Sequence, residues 1–216
     1  MIVPKINLAS NSAEQAAKEI NENKFGLTAQ KIGFVNWPDE FPYAPSVFVK
    51  IAHTDKDIVL QFDVEEQYTM AHVKEDNGEV WTDSCCEFFI SFDDSGYYNL
   101  EMTCIGKALL GFRKTKPNAV HGDKETMESI KRFSTLGSET FDERIGENKW
   151  QLTAILPLKA FFKHNITSFD NLKAKINVYK CGDNLTKPHF LSLFPIDSES
   201  PNFHLPEFFK EVEFEK

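Results

Sequence analysis

The sequence predicts an antiparallel β-sandwich, of the immunoglobulin-like or jelly-roll type, with one short helix at its N-terminal end. Two patterns carry that prediction. Apolar residues recur with a period of two in short runs, and turn residues break those runs about every ten positions. Helices do not alternate with strands, which disfavours a doubly wound parallel sheet. Composition agrees: 20 of 216 residues are phenylalanine, against 5 tyrosines and 3 tryptophans. Phe-rich, β-branched sequence suits a pleated, half-buried surface.

The helix is "NSAEQAAKEINEN", residues 11 to 23. Asn11 or Ser12 can cap it, and Ala13, Ala16, Ala17 and Ile20 share one face at 3.6-residue spacing. After the irregular "FVNWPDEFPYAP" the period changes to two. "SVFVKIAH" (46 to 53) and "DIVLQFDV" (57 to 64) form a hairpin through "TDKD". "KEDNGEV" turns into "VWTDSCCEFFISF" (80 to 92), read as a strand from its first residues, and "DDSG" (93 to 96) turns it back into "YYNLEMTCIG" and "KALLGF". Residues 113 to 128 are polar and Pro/Lys-rich, a long loop. "SIKRFSTL", "FDERIG", "KWQLTAILP", "LKAKINVYKCGD", "HFLSLFPI" and the tail supply further strands, with one helical turn at "LKAFF".

No linker or repeat divides the chain, so residues 1 to 216 read as one domain, with 1 to 35 as a helical decoration. A chain of this length buries roughly 70% of its unfolded surface and needs no disulfide or metal staple. A net charge of −9 argues against nucleic acid or an anionic membrane as partner. No run approaches the ~20 apolar residues of a bilayer span. Cys85, Cys86, Cys104 and Cys181 lack C-x-x-C spacing, and neighbours in a strand point to opposite faces. Four reduced thiols and no visible leader predict a cytoplasmic protein.

No phosphate-binding, dinucleotide, nucleophile-elbow or zinc-protease motif is present, and the six histidines are scattered without metal spacing. The chain does not read as an enzyme. Chemistry concentrates instead on one strand face. Alternation puts Trp81, Asp83, Cys85, Glu87 and Phe89 on one side, and Cys86, Phe88, Ile90 and Phe92 on the core side. In "YYNLEMTC" it groups Tyr97, Asn99 and Glu101. If "DDSG" pairs the two strands, Glu87 approaches Glu101 on the non-core face.

Such a face suits a mono- or oligosaccharide. The C–H patch of a pyranose lies well on an indole, and its hydroxyls need carboxylates and amides in fixed positions. The residues alone leave alternatives open. Trp81 could pack beneath the 65 to 79 loop while Glu87 pairs with a lysine. Two glutamates on adjacent strands also lie within the range of a glycan hydrolase. A decayed site serving protein interaction is a further reading.

"VWTDSCCEFFISF", "YYNLEMTCIG" and "VYKCGD…PHFLSLFPI…PNFHLPEFF" resemble the family 9 carbohydrate-binding modules, and more closely the stand-alone family-9-like domains common in gut Bacteroidetes. The resemblance runs from about Asn36 to the C-terminus. It implies a sandwich that holds a terminal sugar between two tryptophans, with structural calcium sites. It matches Trp81 to the first platform and Glu87 to a hydroxyl-binding glutamate. Glu101 stands where characterised modules carry arginine. The second platform falls at or near Leu193, with Phe194 beside it, and Met70 replaces an arginine of close relatives.

Overall fold

The computed structural model describes residues 1–216. In chain order its strands and helices are β1 (Ile2–Val3), α1 (Ala13–Asn21), β2 (Gln30–Lys31), β3 (Phe34–Val35), β4 (Ser46–His53), β5 (Asp57–Ala71), β6 (Cys85–Asp93), β7 (Gly96–Thr103), β8 (Ala108–Arg113), β9 (Val120–His121), α2 (Lys124–Ser129), β10 (Lys131–Ser134), β11 (Phe141–Pro157), β12 (Lys173–Cys181), β13 (Phe190–Ser192) and β14 (Lys210–Phe214). One sheet runs β1-β14-β12-β6-β7-β8-β9, with β13 pairing β12 and β3; the other runs β10-β11-β5-β4-β2. Every pairing is antiparallel except β1 with β14. The predicted β-sandwich is the observed fold.

The core lies between the sheets. Phe88, Ile90, Leu100 and Met102 from one sheet meet Leu60, Phe62, Leu152 and Ala154 from the other in a single buried cluster. Each large apolar side chain so buried contributes about 1.5–3 kcal/mol. The alternation read from the sequence therefore assigns the core face of β6 and β7 correctly. Ser12 caps α1 by accepting a hydrogen bond from the Gln15 amide at 3.3 Å.

Several elements differ from expectation. β5 continues past residue 64 to Ala71, because its C-terminal half pairs with the N-terminal arm of β11. "FDERIG" and "KWQLTAILP" are one strand, β11, with register shifts between Phe141 and Arg144 and between Ile145 and Asn148. The irregularity absorbs what the sequence shows as a turn. The loop from 113 to 128 contains β9 and most of α2; Asp123 caps α2 by accepting from the Thr126 amide at 2.8 Å. Its Pro/Lys-rich approach conceals that start signal. Residues 1 to 35 are more than a decoration. β1 and β2 each add an edge strand, and Val3 and Ile32 enter the main core.

The outer face of the larger sheet carries a second apolar cluster that includes Trp37, Phe89, Tyr97, Tyr179, Phe203 and Phe209. Phe203 stacks on Tyr179 with ring centres 4.2 Å apart, and Trp37 Nε1 donates to the Ser198 carbonyl at 2.8 Å. The chain after β13 is thereby held over one part of the sheet and leaves the neighbouring part open.

Candidate functional site

β6 and β7 pair through the DDSG turn, and a register shift between Ile90 and Asp93 sets Glu87 directly opposite Glu101. On the other side of β6, β12 brings Cys181 opposite Cys85 and Tyr179 opposite Glu87. Three adjacent strands thus set Glu87, Glu101 and Cys181 on one outward patch. That patch is the floor of a cavity of about 680 Å³, whose lining includes Trp81, Arg113, Lys116, Asp183, Phe190 and His204.

Trp81 reaches the cavity from a different element than expected. The strand begins at Cys85, and Val80–Thr82 is a 3-10 turn. The end of β12 fixes this turn: the Asp183 amide donates to the Trp81 carbonyl at 3.2 Å and the Asn184 amide to that of Thr82 at 3.1 Å. Asp83 is fully buried, and its carboxylate accepts from the amides of His72 and Val73 at 2.8 and 2.9 Å. The polar start of "VWTDSCC" is thus a turn whose acid ties down the preceding loop. Trp81 itself remains half-buried at the cavity wall.

The two glutamates are 3% and 4% exposed, and neither forms an ion pair within 4 Å. Burial, then the charge of Glu101, holds the Glu87 carboxyl well above the usual range. Burial also pushes Glu101 up, to about 7, against the opposing pull of Asn99. Glu87 Oε1 accepts from the Cys181 thiol at 3.1 Å. Asn99, fully buried, is the hinge of the polar network. Its Nδ2 donates to Glu101 Oε1 at 2.9 Å, and its Oδ1 accepts from Arg113 Nε at 2.9 Å. Arg113 Nη1 also donates to the Lys116 carbonyl at 2.7 Å. Where Glu101 displaces the expected arginine, Arg113 on β8 brings a guanidinium to the same cavity. His204 shares a 3.0 Å hydrogen bond with the Tyr97 hydroxyl, and burial drives the imidazole down to about 3, so it is neutral.

The structure does not bring Leu193 and Phe194 to this cavity. Leu193 is buried in the core between the sheets, and Phe194 packs against that same core. The period of two explains the error: Leu191 and Leu193 share the inner face, which leaves Phe190 to the outside. Phe190 lines the cavity and makes an edge contact with Phe41, ring centres 4.8 Å apart. Arg113, Cys181, Asp183 and Phe190 are the residues sequence reasoning missed. For Cys181 and Asp183 the signal was present, since "KCGD" carries them two apart and extends the same outward face. Arg113, at the edge of the presumed loop, had no such signal.

Calcium takes six to eight oxygen ligands. The one group of three metal-ligating side chains whose ligand atoms lie within 4.8 Å of one another includes two thiols. A second cavity of about 730 Å³, at the other end of the same face, mixes lysines with acidic residues and has no tryptophan. No helix is long and apolar enough to cross a membrane.

Comparison with known proteins agrees with the fold. A crystal structure of a "putative carbohydrate-binding protein" from Bacteroides uniformis ATCC 8492 is 40% identical, covers 100% of this chain and 98% of its own, and superposes with a TM-score of 0.95. Two structures of a carbohydrate-binding module family 9 protein from Caldicellulosiruptor kristjanssonii share the fold at 10% identity and a TM-score of 0.61. One is a complex with glucose, covering 100% of this chain and 95% of its own; the other, with cellotriose, covers 100% and 93%. Among curated proteins none matches. The model of carbohydrate-binding family 9 matches residues 15–214, nearly the whole chain, and the protein belongs to that family.

Proposed function

We propose that the protein binds a mono- or oligosaccharide, without catalysis, in the cavity beneath Trp81. The observation that carries this reading is the convergence of Trp81, Glu87, Glu101 and Arg113 on one cavity. An indole wall offers a surface for the C–H face of a pyranose. The floor offers hydroxyl partners of both kinds: a protonated Glu87 donates as well as accepts, and Arg113 donates only. Phe190 supplies the second aromatic edge in place of the Leu193 platform. Glucose and cellotriose, the ligands of the fold relatives, are the first sugars to try.

The non-catalytic reading is supported by the placement of the two carboxyls. Hydrolysis sets them on opposite sides of a glycosidic bond, one of them ionised as nucleophile or base. Glu87 and Glu101 sit side by side on one floor, and burial holds both toward the protonated form. A sugar above them meets both from the same side.

Titration calorimetry with glucose, cellotriose and a panel of other oligosaccharides tests the reading, with Trp81→Ala as the control. The expected result is measurable binding by the parent and a loss of at least about tenfold in the variant, the 1.4 kcal/mol scale of one aromatic contact. Thermal melting should show the variant folded, because Trp81 lies outside the fully buried set. An absence of binding across the panel, or equal affinity in Trp81→Ala, refutes the assignment.

A further inference from the structure

The floor of the cavity contains a grouping that sugar binding does not require. Cys85 and Cys181 are cross-strand neighbours on β6 and β12. Glu87 follows Cys85 by two residues and so shares its face. The Cys85 and Cys181 sulfurs and a Glu87 carboxylate oxygen all lie within 4.8 Å of one another, and the three residues are 0%, 1% and 3% exposed. Glu87 and Cys181 both line the cavity, and Cys85 sits just behind them.

We propose that Cys85, Glu87 and Cys181 form a three-ligand site for a thiophilic divalent cation of the zinc type, its fourth position open to the cavity. Two thiolates and a carboxylate are a zinc donor set. With metal–sulfur and metal–oxygen lengths of about 2.3 and 2.0 Å, a tetrahedral centre separates its ligand atoms by roughly 3.5 to 3.8 Å. The Cys181 sulfur and Glu87 Oε1 are 3.1 Å apart, so they need open by only a few tenths of an ångström. The pleat holds all three side chains on rigid neighbouring strands, which gives a cation preset geometry.

The Trp81 carbonyl at 3.6 Å and Glu87 Oε1 at 3.1 Å are both acceptors that face the Cys181 thiol, so a bound cation would take the place of the thiol proton between them. On binding, the thiol protons of Cys85 and Cys181 and the carboxyl proton of Glu87 pass to solvent and the ion takes their place, with no change of oxidation state. The fourth position takes water, or a hydroxyl or carboxylate of whatever enters the cavity.

The site goes beyond the sugar reading and does not depend on it. The full-length protein, reduced with a phosphine and freed of metal by chelation, would be titrated with zinc chloride and, for a spectrum, with cobalt chloride. One bound ion per chain is expected, with an intense near-ultraviolet thiolate-to-cobalt band that zinc bleaches. Cys181→Ser should cut that band by about half or more, Cys85→Ser/Cys181→Ser should remove it, and either variant should weaken zinc by more than about 100-fold, beyond the usual effect of losing an outer-shell partner. X-ray absorption at the zinc edge of the parent protein should count two sulfur ligands, and it needs no variant to fold. A parent that binds no zinc, a cobalt band undiminished in Cys181→Ser, or a zinc shell of nitrogen and oxygen alone would each overturn the proposal. Sugar titrations of the metal-free protein keep this outcome separate from that of carbohydrate binding.

Discussion

Glu87 and Glu101 face each other directly across the β6–β7 pair, both nearly inaccessible to water and neither matched by a cation. Two like charges cannot share such a place cheaply. The folded protein therefore holds protons there that the unfolded chain releases.

The sign of the resulting pH dependence follows. Glu101 titrates near 4.5 when unperturbed and at about 7 in the fold. A raised carboxyl contributes stability that is complete below the unfolded value and is lost as pH rises through the folded one. The loss between pH 4.5 and 7 amounts to as much as about 3 kcal/mol, and Glu87 adds in the same direction. Glu101→Gln keeps the acceptor for Asn99 and removes the titration. Urea denaturation with a chelator present should find the variant level with the parent at pH 5 and more stable at pH 8. A difference between the two proteins that is constant with pH would refute the argument.

Between the sheets the logic is reversed, because there the charge is matched. Lys180 on β12 and Glu66 on β5 form an ion pair of 2.9 Å with both side chains fully buried. The Lys180 ammonium also donates to His189 Nε2 at 2.8 Å and to the Cys181 carbonyl at 2.9 Å. Glu66 Oε1 accepts from Trp150 Nε1 at 2.8 Å. Removing one partner strands the other charge, so Lys180→Met or Glu66→Gln should each cost about 3–5 kcal/mol. The double variant Lys180→Met/Glu66→Leu should lose much less than the sum of its parts. Additive losses in a double-mutant cycle would show that the two residues are not coupled.

The relocation of the second platform makes its own prediction. A tryptophan at Leu193 would have to enter a filled core. Overpacking of that kind costs about 1–3 kcal/mol, and sugar affinity should not rise. Phe190→Trp places the larger ring where the cavity is, and there affinity should increase. Calorimetry and melting of the two variants separate the assignments; stronger binding by Leu193→Trp would restore the first one.

The fold was legible because a sandwich is written in local patterns. Core faces and the shared face of Glu87 and Glu101 follow from a period of two, whereas their direct opposition depends on a register shift between Ile90 and Asp93. Long-range partners are not written that way. Arg113 meets Glu101 only through Asn99, and Cys181 meets Cys85 only because β12 happens to flank β6. Trp81 reaches the cavity wall from a 3-10 turn, since Asp83 and the end of β12 hold it there where alternation predicts a strand. Leu193 failed because residues two apart share a face, and Leu191 had already committed that face to the core.

The last prediction concerns the residue that lets Asn99 and Arg113 meet. Gly111 on β8 lies opposite Asn99 on β7. A Cβ at Gly111 would stand 2.7 Å from Asn99 Oδ1 and 3.0 Å from an Arg113 Nη2 nitrogen. Asn99 has no room to retreat, being fully buried, so the flexible guanidinium must move. Gly111→Ala should therefore break the Arg113–Asn99 hydrogen bond and leave the Asn99 amide with one partner. The expected stability cost is about 1–3 kcal/mol, that of a buried polar group left unsatisfied. Sugar affinity should fall with it, because Arg113 loses the contact that aims it at the cavity. Arg113→Ala supplies the comparison. If the guanidinium acts through its position, both variants lose affinity and the double variant loses little more than Arg113→Ala alone. If Gly111→Ala binds as the parent does while Arg113→Ala does not, the Asn99 hinge does not position the arginine.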